Sequence, residues 1–194
     1  YARIDTVKEG LLGTMREAGF RWLCYGIESA SARVLDDVGK GYDVGDTVRV
    51  VRETERSGIE VQANYIVGLP KDDEETVRET LSLARELNAA AFNVYAAMGY
   101  PGSTLYEEAV RRDWPLPEDW SGYSQHSYDT TPLPTLYLTG TDVLRMRDDF
   151  HIALATDPAY LRMLGSKFGP RVEAEVSREM STRLRRRLLG DPPP

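Results

Sequence analysis

Polar side chains recur at every second position of the apolar segments in the first half of the chain. Side chains two residues apart in a strand point to the same side, so these positions form one polar face. Carboxylates and amides on such a face supply acceptors and donors for the hydroxyl and amino groups of a polar ligand. The face comprises Arg3, Asp5, Cys24, Gly26, Glu28, Gln62, Asn64, Ile66, Gly68, Asn93, Tyr95 and Ala97.

The alternate positions of the same segments are apolar and are expected to pack against helices. A packed barrel interior holds mainly Val, Ile and Leu, so a polar inner face is unusual. Buried polar groups are costly unless they are hydrogen bonded, and the face therefore indicates either a ligand chamber or a self-satisfied network. Ligands bind at the carboxyl ends of parallel strands, where Glu28 and Gly68 lie, and this favours the chamber.

Strands that alternate with helices are needed to bring these positions together. The apolar patterns predict strands over residues 1–7, 21–27, 60–69 and 90–98, and helices over 8–18, 44–57, 71–87 and 104–112, with a short helix ending near 38. This order predicts an α/β fold, a partial (β/α) barrel with parallel strands and about four βα units.

The pattern changes after residue 112. Residues 113–138 are rich in Pro, Trp, Tyr and Ser, which indicates an irregular connection. Helical spacing then predicts helices over 142–155 and 171–189, the second with an arginine-rich carboxyl end that complements the helix dipole. We therefore expect two regions, a partial barrel over 1–112 and a connection with a helical carboxy-terminal extension over 113–194.

Composition narrows the class of protein. The net charge of −7 argues against nucleic acid and against an anionic membrane surface as partners. The single cysteine cannot form an internal disulfide, and no apolar run approaches the length of a membrane helix, so we predict a cytoplasmic protein.

His126 and His151 are far apart, which favours solvated or core histidines over a metal site. The chain begins at Tyr1 within a predicted strand, and we expect it to be part of a longer protein with an amino-terminal remainder.

Three short motifs resemble the radical S-adenosylmethionine (radical SAM) enzymes in order and spacing. They are GIES at 26–29 followed by Lys40, IVGLP at 66–70 before an acidic helix start, and YPGSTLY at 100–106. The resemblance covers residues 1–112 and matches the third to sixth strands of that family's six-stranded partial barrel. The segment after 112 resembles the tail of the subgroup that carries an upstream cobalamin-binding domain, so cobalamin is a further expected cofactor.

The resemblance implies roles for individual residues. Glu28 would bind the ribose of S-adenosylmethionine, and the alternative is that it only pairs with a nearby Lys or Arg. Asn64 and Lys71 depart from the family pattern, which has Gly and Glu there. The implied cofactor-binding residues are Glu28, Gly26, Asn64, Ile66, Gly68, Ala96, Ala97 and Met98, and the implied substrate-chamber residues are Arg3, Asp5, Gln62, Asn93 and Tyr95.

The family's [4Fe-4S] cluster is held by three cysteines of a loop that this sequence does not contain, and Cys24 does not match it. We therefore predict no catalytic or metal-ligating residue in this chain and no activity of the chain alone. In the intact enzyme, S-adenosylmethionine would be cleaved to a radical for hydrogen abstraction or methyl transfer on a small-molecule or peptide substrate. The alternative is a noncatalytic binding or scaffold module. An unpaired first strand would favour self-association.

Overall fold

The computed structural model describes residues 1–194, except for the side chain of Glu9. The helices are α1 (Glu9–Glu17), α2 (Ala32–Asp37), α3 (Val44–Arg56), α4 (Glu74–Leu87), α5 (Thr104–Arg111), α6 (Gly140–Ala155), α7 (Pro158–Phe168) and α8 (Pro170–Met180). The strands are β1 (Trp22–Glu28), β2 (Glu60–Val67) and β3 (Ala91–Ala96), and short 3-10 turns lie at Ile4–Thr6, Trp120–Tyr123 and Arg187–Leu189.

In the part of the chain that the structure describes, the strands form one parallel sheet in the order β1-β2-β3. Helices connect consecutive strands, as parallel pairing requires. The register aligns Gly26 with Asn64 and Asn64 with Asn93. This arrangement confirms the predicted α/β fold, a partial barrel with parallel strands.

The core lies on the helix-covered side of the sheet. Burial alternates along β1 and β3, and the buried apolar residues of all three strands belong to one cluster with residues of α1, α3, α4, α6 and α7. One polar pair lies inside this core: the Tyr25 hydroxyl lies 2.8 Å from the Thr54 hydroxyl. The two faces therefore divide as the alternation predicts along the strands, and we call the less buried side, which carries Cys24, Glu28, Gln62, Asn93 and Tyr95, the open face.

The segment 1–7 is not a strand, so this prediction was wrong. Ala2 makes a single bridge to β1, in which its amide donates to the Cys24 carbonyl at 2.9 Å. The chain then turns, and the Thr6 hydroxyl and amide both donate to the Arg3 carbonyl. Local side-chain to backbone bonds of this kind compete with ladder formation. The expected self-association at this edge stays a prediction.

The carboxy-terminal region packs back onto the sheet. Helix α6 contacts β2 and β3, and α7 and α8 pack against each other. The predicted helix over 171–189 ends at Met180 instead, and α7 was not predicted. The helix ends early because the following chain extends and carries Arg186 into a buried site, described below. The proposed boundary between residues 112 and 113 stays a prediction.

Side-chain caps mark where three of the helices begin. Reciprocal capping boxes start α3 at Asp43, α4 at Asp73 and α6 at Thr139. Of these helices, α4 directly follows a strand, so its cap fixes the length of the loop after β2. Among the described residues, none of the helices has the length and apolar character needed to cross a membrane.

Candidate functional site

Glu28 ends β1 in a left-handed backbone conformation, with φ of 65°. The pairing register of β1 with β2 shifts between Gly26 and Glu28, which marks a bulge at Ile27. The left-handed region is unfavourable for a residue with a Cβ and is concentrated at functional sites. The bulge directs the Glu28 carboxylate back over β1, where a Cβ at Gly26 would lie 2.5 Å from Glu28 Oε1. Glycine is therefore required at position 26 for this placement.

Lys40 and Tyr42 surround the Glu28 carboxylate. Lys40 Nζ lies 2.9 Å from Glu28 Oε1, and the Tyr42 hydroxyl donates to the Gly26 carbonyl at 2.7 Å. Burial, together with the nearby Glu28 carboxylate, raises the pKa of Tyr42, which keeps this phenol protonated as a donor. None of the described residues donates a hydrogen bond to Glu28 Oε2, so this oxygen is the acceptor left for a ligand.

Two amides join the three strands beside Glu28. Asn64 Nδ2 donates to the Tyr25 carbonyl at 3.1 Å, and Asn93 Nδ2 donates to Asn64 Oδ1 at 2.9 Å. Nearer the amino ends, the Cys24 thiol donates to Gln62 Oε1 at 3.4 Å. The polar face thus satisfies part of its own hydrogen bonding. The chamber and the network are compatible, because Asn93 and Gln62 remain only partly buried.

A tight turn at Gly68 closes β2. Gly68 has φ of 93°, and a Cβ there would lie 2.4 Å from Val143 Cγ1 of α6. The buried Asp72 carboxylate accepts hydrogen bonds from the Gly68 and Leu69 amides and from the Thr76 hydroxyl. Burial raises the pKa of Asp72, and these three donors oppose the rise. The turn and the approach of α6 both require glycine at position 68.

A small apolar cluster lies at the carboxyl ends of β2 and β3, separate from the main core. Ala97 and Leu69 pack with Val34 of α2, and Ile66 and Val38 lie against them. Ile66 is half-buried, whereas Ala97 is 4% exposed. Ile66 and Val38 are therefore the members of this cluster that retain exposed apolar surface.

Ala96 and Met98 differ from Ala97 in where their side chains point. Both side chains belong to the main core on the helix-covered side. The sequence prediction that all three residues lie at the adenine can therefore hold for Ala96 and Met98 only through their backbone. We call the segment 96–98 the β3 exit.

Arg3, Asp5 and Tyr95 are the remaining predicted residues. Arg3 and Asp5 form a bidentate ion pair, with Nη2 to Oδ2 at 2.8 Å, on the turn before α1. A Cβ at Gly41 would lie 3.5 Å from Asp5 Oδ2, which places the pair beside the Lys40 loop. Tyr95 lies on the open face, and its pKa is raised, mainly because the side chain is partly buried.

The structure adds residues that the sequence patterns did not single out. Asp72 shapes the Gly68 turn, Tyr42 binds the strand end at Gly26, and Gln125 binds the β3 exit. Asp72 was assigned only to an acidic helix start. Gln125 lies in an irregular segment, where no periodicity identifies a partner.

The donor set decides which cofactors this chain can hold. A [4Fe-4S] cluster needs several thiolates, and the only cysteine of the sequence is Cys24, whose thiol bonds Gln62. Within the described residues, no group of three or more His, Cys, Asp or Glu side chains is arranged to hold a metal ion. The residues present do not fit a cluster. Glu28 Oε2, which receives no hydrogen bond from the described residues, is an acceptor available to a polar ligand.

A cavity of about 620 Å³ lies on the helix-covered side, lined by residues of α2, α3 and α4 that include Arg33 and Glu75. Its lining does not include Glu28, Asn64 or Asn93, so the open-face residues are not part of this cavity.

Comparison with known proteins identifies the class. Residues 3–84, which are less than half of the chain, match the family model described as the radical SAM superfamily. An uncharacterized methyltransferase from Pyrococcus horikoshii is 30% identical over 123 residues, which are 63% of this chain and 27% of that protein. An anaerobic magnesium-protoporphyrin IX monomethyl ester cyclase from Rubrivivax gelatinosus is 33% identical over 100 residues, which are 52% of this chain and 18% of that protein.

The fold is shared over nearly the whole chain with a solved radical SAM methyltransferase. TsrM from Kitasatospora setae, determined with cobalamin and a [4Fe-4S] cluster bound, superposes with a TM-score of 0.61 at 17% identity. The match covers 93% of this chain and 43% of that one. The chain spans less than a third of the length of the curated relatives given above.

Proposed function

We propose that this chain forms the ribose and adenine wall of the S-adenosylmethionine site in a radical SAM enzyme. The proposal rests mainly on the Glu28 carboxylate. It lies at a bulged strand end with a left-handed backbone, and one of its oxygens receives no hydrogen bond from the described residues. Residues with strained backbone conformations are concentrated at functional sites. Glu28 also lies at the carboxyl end of a parallel strand, where ligands bind in α/β folds.

The residues of the wall have separate tasks. The free oxygen of Glu28 accepts hydrogen bonds from the ribose hydroxyls, while Lys40 holds the other oxygen in place. Half-buried Ile66 provides apolar surface for the adenine, Ala97 packs in the same cluster, and the Gly68 turn lets the chain pass close to it. The open-face residues Gln62, Asn93 and Tyr95, with Arg3 and Asp5 at the Lys40 loop, border the substrate space.

The chemistry itself requires the rest of the protein. When bound beside a reduced cluster, S-adenosylmethionine supplies a 5′-deoxyadenosyl radical by one-electron cleavage of its C5′–S bond. The cluster ligands would belong to an amino-terminal remainder that completes the barrel. The relative named as a methyltransferase supports methyl transfer as the outcome, and hydrogen abstraction is the other outcome that we propose. The likeness to TsrM supports cobalamin as an additional cofactor. The free thiol of Cys24 is consistent with the predicted cytoplasmic location.

Binding of S-adenosylmethionine to the full-length, cluster-loaded protein tests this proposal. In calorimetry, Glu28→Ala is expected to weaken binding by on the order of tenfold to a hundredfold, because hydrogen bonds to a charged group are lost. Glu60→Ala is the matched control, since Glu60 also pairs with a lysine, Lys167, but at the amino end of β2. Unchanged affinity in Glu28→Ala would exclude Glu28 as the ribose ligand, and a wild-type protein that does not bind would favour the noncatalytic module.

A further inference from the structure

The outer edge of β3 is closed by side chains. The Ala97 amide donates to the Val67 carbonyl of β2, so the neighbouring Ala96 amide and carbonyl face the opposite edge. Gln125 satisfies both groups: Ala96 N donates to Gln125 Oε1 and Gln125 Nε2 donates to the Ala96 carbonyl, each at 2.9 Å. One primary amide thus takes the place of a neighbouring strand at the β3 exit.

A buried arginine from the chain terminus holds the loop that carries Gln125. Arg186 is 0% exposed, and its guanidinium donates to the Gln125 carbonyl at 3.0 Å. It also donates to the Ser127 carbonyl at 2.9 Å and to the Thr130 hydroxyl at 2.8 Å. Three bonds to residues 125–130 leave this loop little freedom relative to Arg186.

Asp148 of α6 anchors the same guanidinium to the sheet. Arg186 makes a bidentate pair with Asp148, with Nε to Oδ2 and Nη2 to Oδ1 both at 3.0 Å. The neighbouring Arg147 donates to Asp148 at 2.8 Å and, through Nε, to the Val94 carbonyl of β3 at 2.8 Å. The loop, α6 and the edge of β3 are therefore one connected hydrogen-bond network.

We propose that Gln125 and Arg186 are positioning residues that fix the backbone of the β3 exit for S-adenosylmethionine, an inference that rests on the proposed function. Arg186 fixes the loop, and Gln125 fixes the Ala96 peptide groups. Because Ala96 and Met98 direct their side chains into the core, their contribution to the ligand wall depends on where this backbone lies. A residue near the carboxyl terminus therefore controls cofactor affinity without contacting the cofactor.

The test compares S-adenosylmethionine affinity in full-length, cluster-loaded variants. Gln125→Met keeps the length of the side chain but neither hydrogen bond, and Arg186→Lys keeps the charge but cannot form the planar fork. Both are expected to bind about tenfold more weakly than wild type. Arg187→Lys is the matched control, since Arg187 is 65% exposed, and it is expected to bind like wild type.

A second control separates positioning from general stability. Leu164→Ala removes a buried side chain of α7 that packs near Trp22 and Ala91, at the amino ends of β1 and β3. It is expected to lower stability and to leave affinity unchanged. Equal loss of affinity in Leu164→Ala and Gln125→Met, or wild-type affinity in Gln125→Met, would overturn the proposal.

Hydrogen exchange provides a readout that does not depend on the ligand. The amides of Ala96 and Ala97 are expected to exchange faster in Gln125→Met and Arg186→Lys than in wild type and Arg187→Lys. If wild type fails to bind S-adenosylmethionine, the proposed function fails, and this exchange pattern still decides whether the two residues fix the β3 exit. Unchanged exchange at Ala96 and Ala97 in both variants would contradict the positioning role.

Discussion

Lys40 Nζ lies 2.9 Å from Glu28 Oε1, and the two side chains are only 16% and 14% exposed. The pair explains how a carboxylate can remain at the end of a strand whose other face is fully buried. Glu28 therefore does pair with a nearby lysine, as one of the two interpretations of the sequence proposed. The pair uses Glu28 Oε1 and leaves Oε2 without a donor among the described residues. Pairing and ligand binding are therefore compatible at this residue.

The left-handed backbone of Glu28 predicts a difference between two substitutions. Glu28→Gly and Glu28→Ala both remove the carboxylate, but only glycine adopts a φ of 65° without strain. We expect Glu28→Gly to be more stable than Glu28→Ala by about 1 kcal/mol in denaturant unfolding. Equal unfolding free energies would show that the position is not strained.

Gly68 and Gly102 form a matched pair for the β2 turn. Both have positive φ, but a Cβ at Gly102 meets nothing within 4 Å, whereas one at Gly68 would lie 2.4 Å from Val143 Cγ1. Gly102→Ala is expected to lower the free energy of unfolding by about 1 kcal/mol in denaturant titrations. Gly68→Ala is expected to lower it by roughly a further 1–3 kcal/mol, the range found for overpacked side chains.

Adding Val143→Ala tests the cause of the larger effect at Gly68. The double variant should recover part of the stability lost in Gly68→Ala, once the cost of Val143→Ala alone is subtracted. Additive costs would mean that α6 does not restrict the turn.

The buried ion pair between Arg186 and Asp148 is expected to contribute more to stability than the exposed pair between Arg183 and Asp149. Arg186→Met leaves Asp148 buried without its main partner and is expected to destabilise the protein by about 3–5 kcal/mol. Arg183→Met breaks the ion pair between Arg183 and Asp149, whose side chains are 50% and 58% exposed. This substitution should lower the free energy of unfolding by less than about 1 kcal/mol. Similar unfolding free energies in the two variants would contradict the burial of Arg186.

His151 predicts a pH dependence of stability. Burial, followed by the charge of Arg147, lowers its pKa to about 4 from the model-compound value of 6.5, while Asp148 opposes the shift and His126 adds to it. Because the folded state then binds fewer protons than the unfolded state, stability should fall as the pH decreases from 6.5 to 4. His151→Met should remove this part of the dependence, and parallel curves for the two proteins would contradict it.

The fold could be predicted where local pattern and tertiary contact agree. Alternation placed β1, β2 and β3 within two residues of their ends, because each buries one apolar face. Residues 1–7 show the same alternation but have a partner only at Ala2, so the pattern alone did not produce a strand. A strand requires a neighbouring edge along its length, and one sequence segment does not show whether that edge exists.

Contacts between distant residues limited the prediction of the site. Glu28 and Asn64 followed from strand parity, whereas Asp72 looked like part of an acidic helix start and Arg186 like one of several solvated arginines. Their burial depends on groups far away in sequence, such as Asp148 and the Gln125 loop. Charge and spacing do not report such partners.

The hydrogen bond between Glu28 and the ribose is tested most directly by changing both partners. S-adenosylmethionine and its 2′-deoxy and 3′-deoxy analogues would be titrated against full-length, cluster-loaded wild type and Glu28→Ala. We predict that wild type binds at least one deoxy analogue about tenfold more weakly than the parent compound, and that Glu28→Ala binds all three alike. The same loss of affinity for the deoxy analogues in both proteins would contradict the assignment.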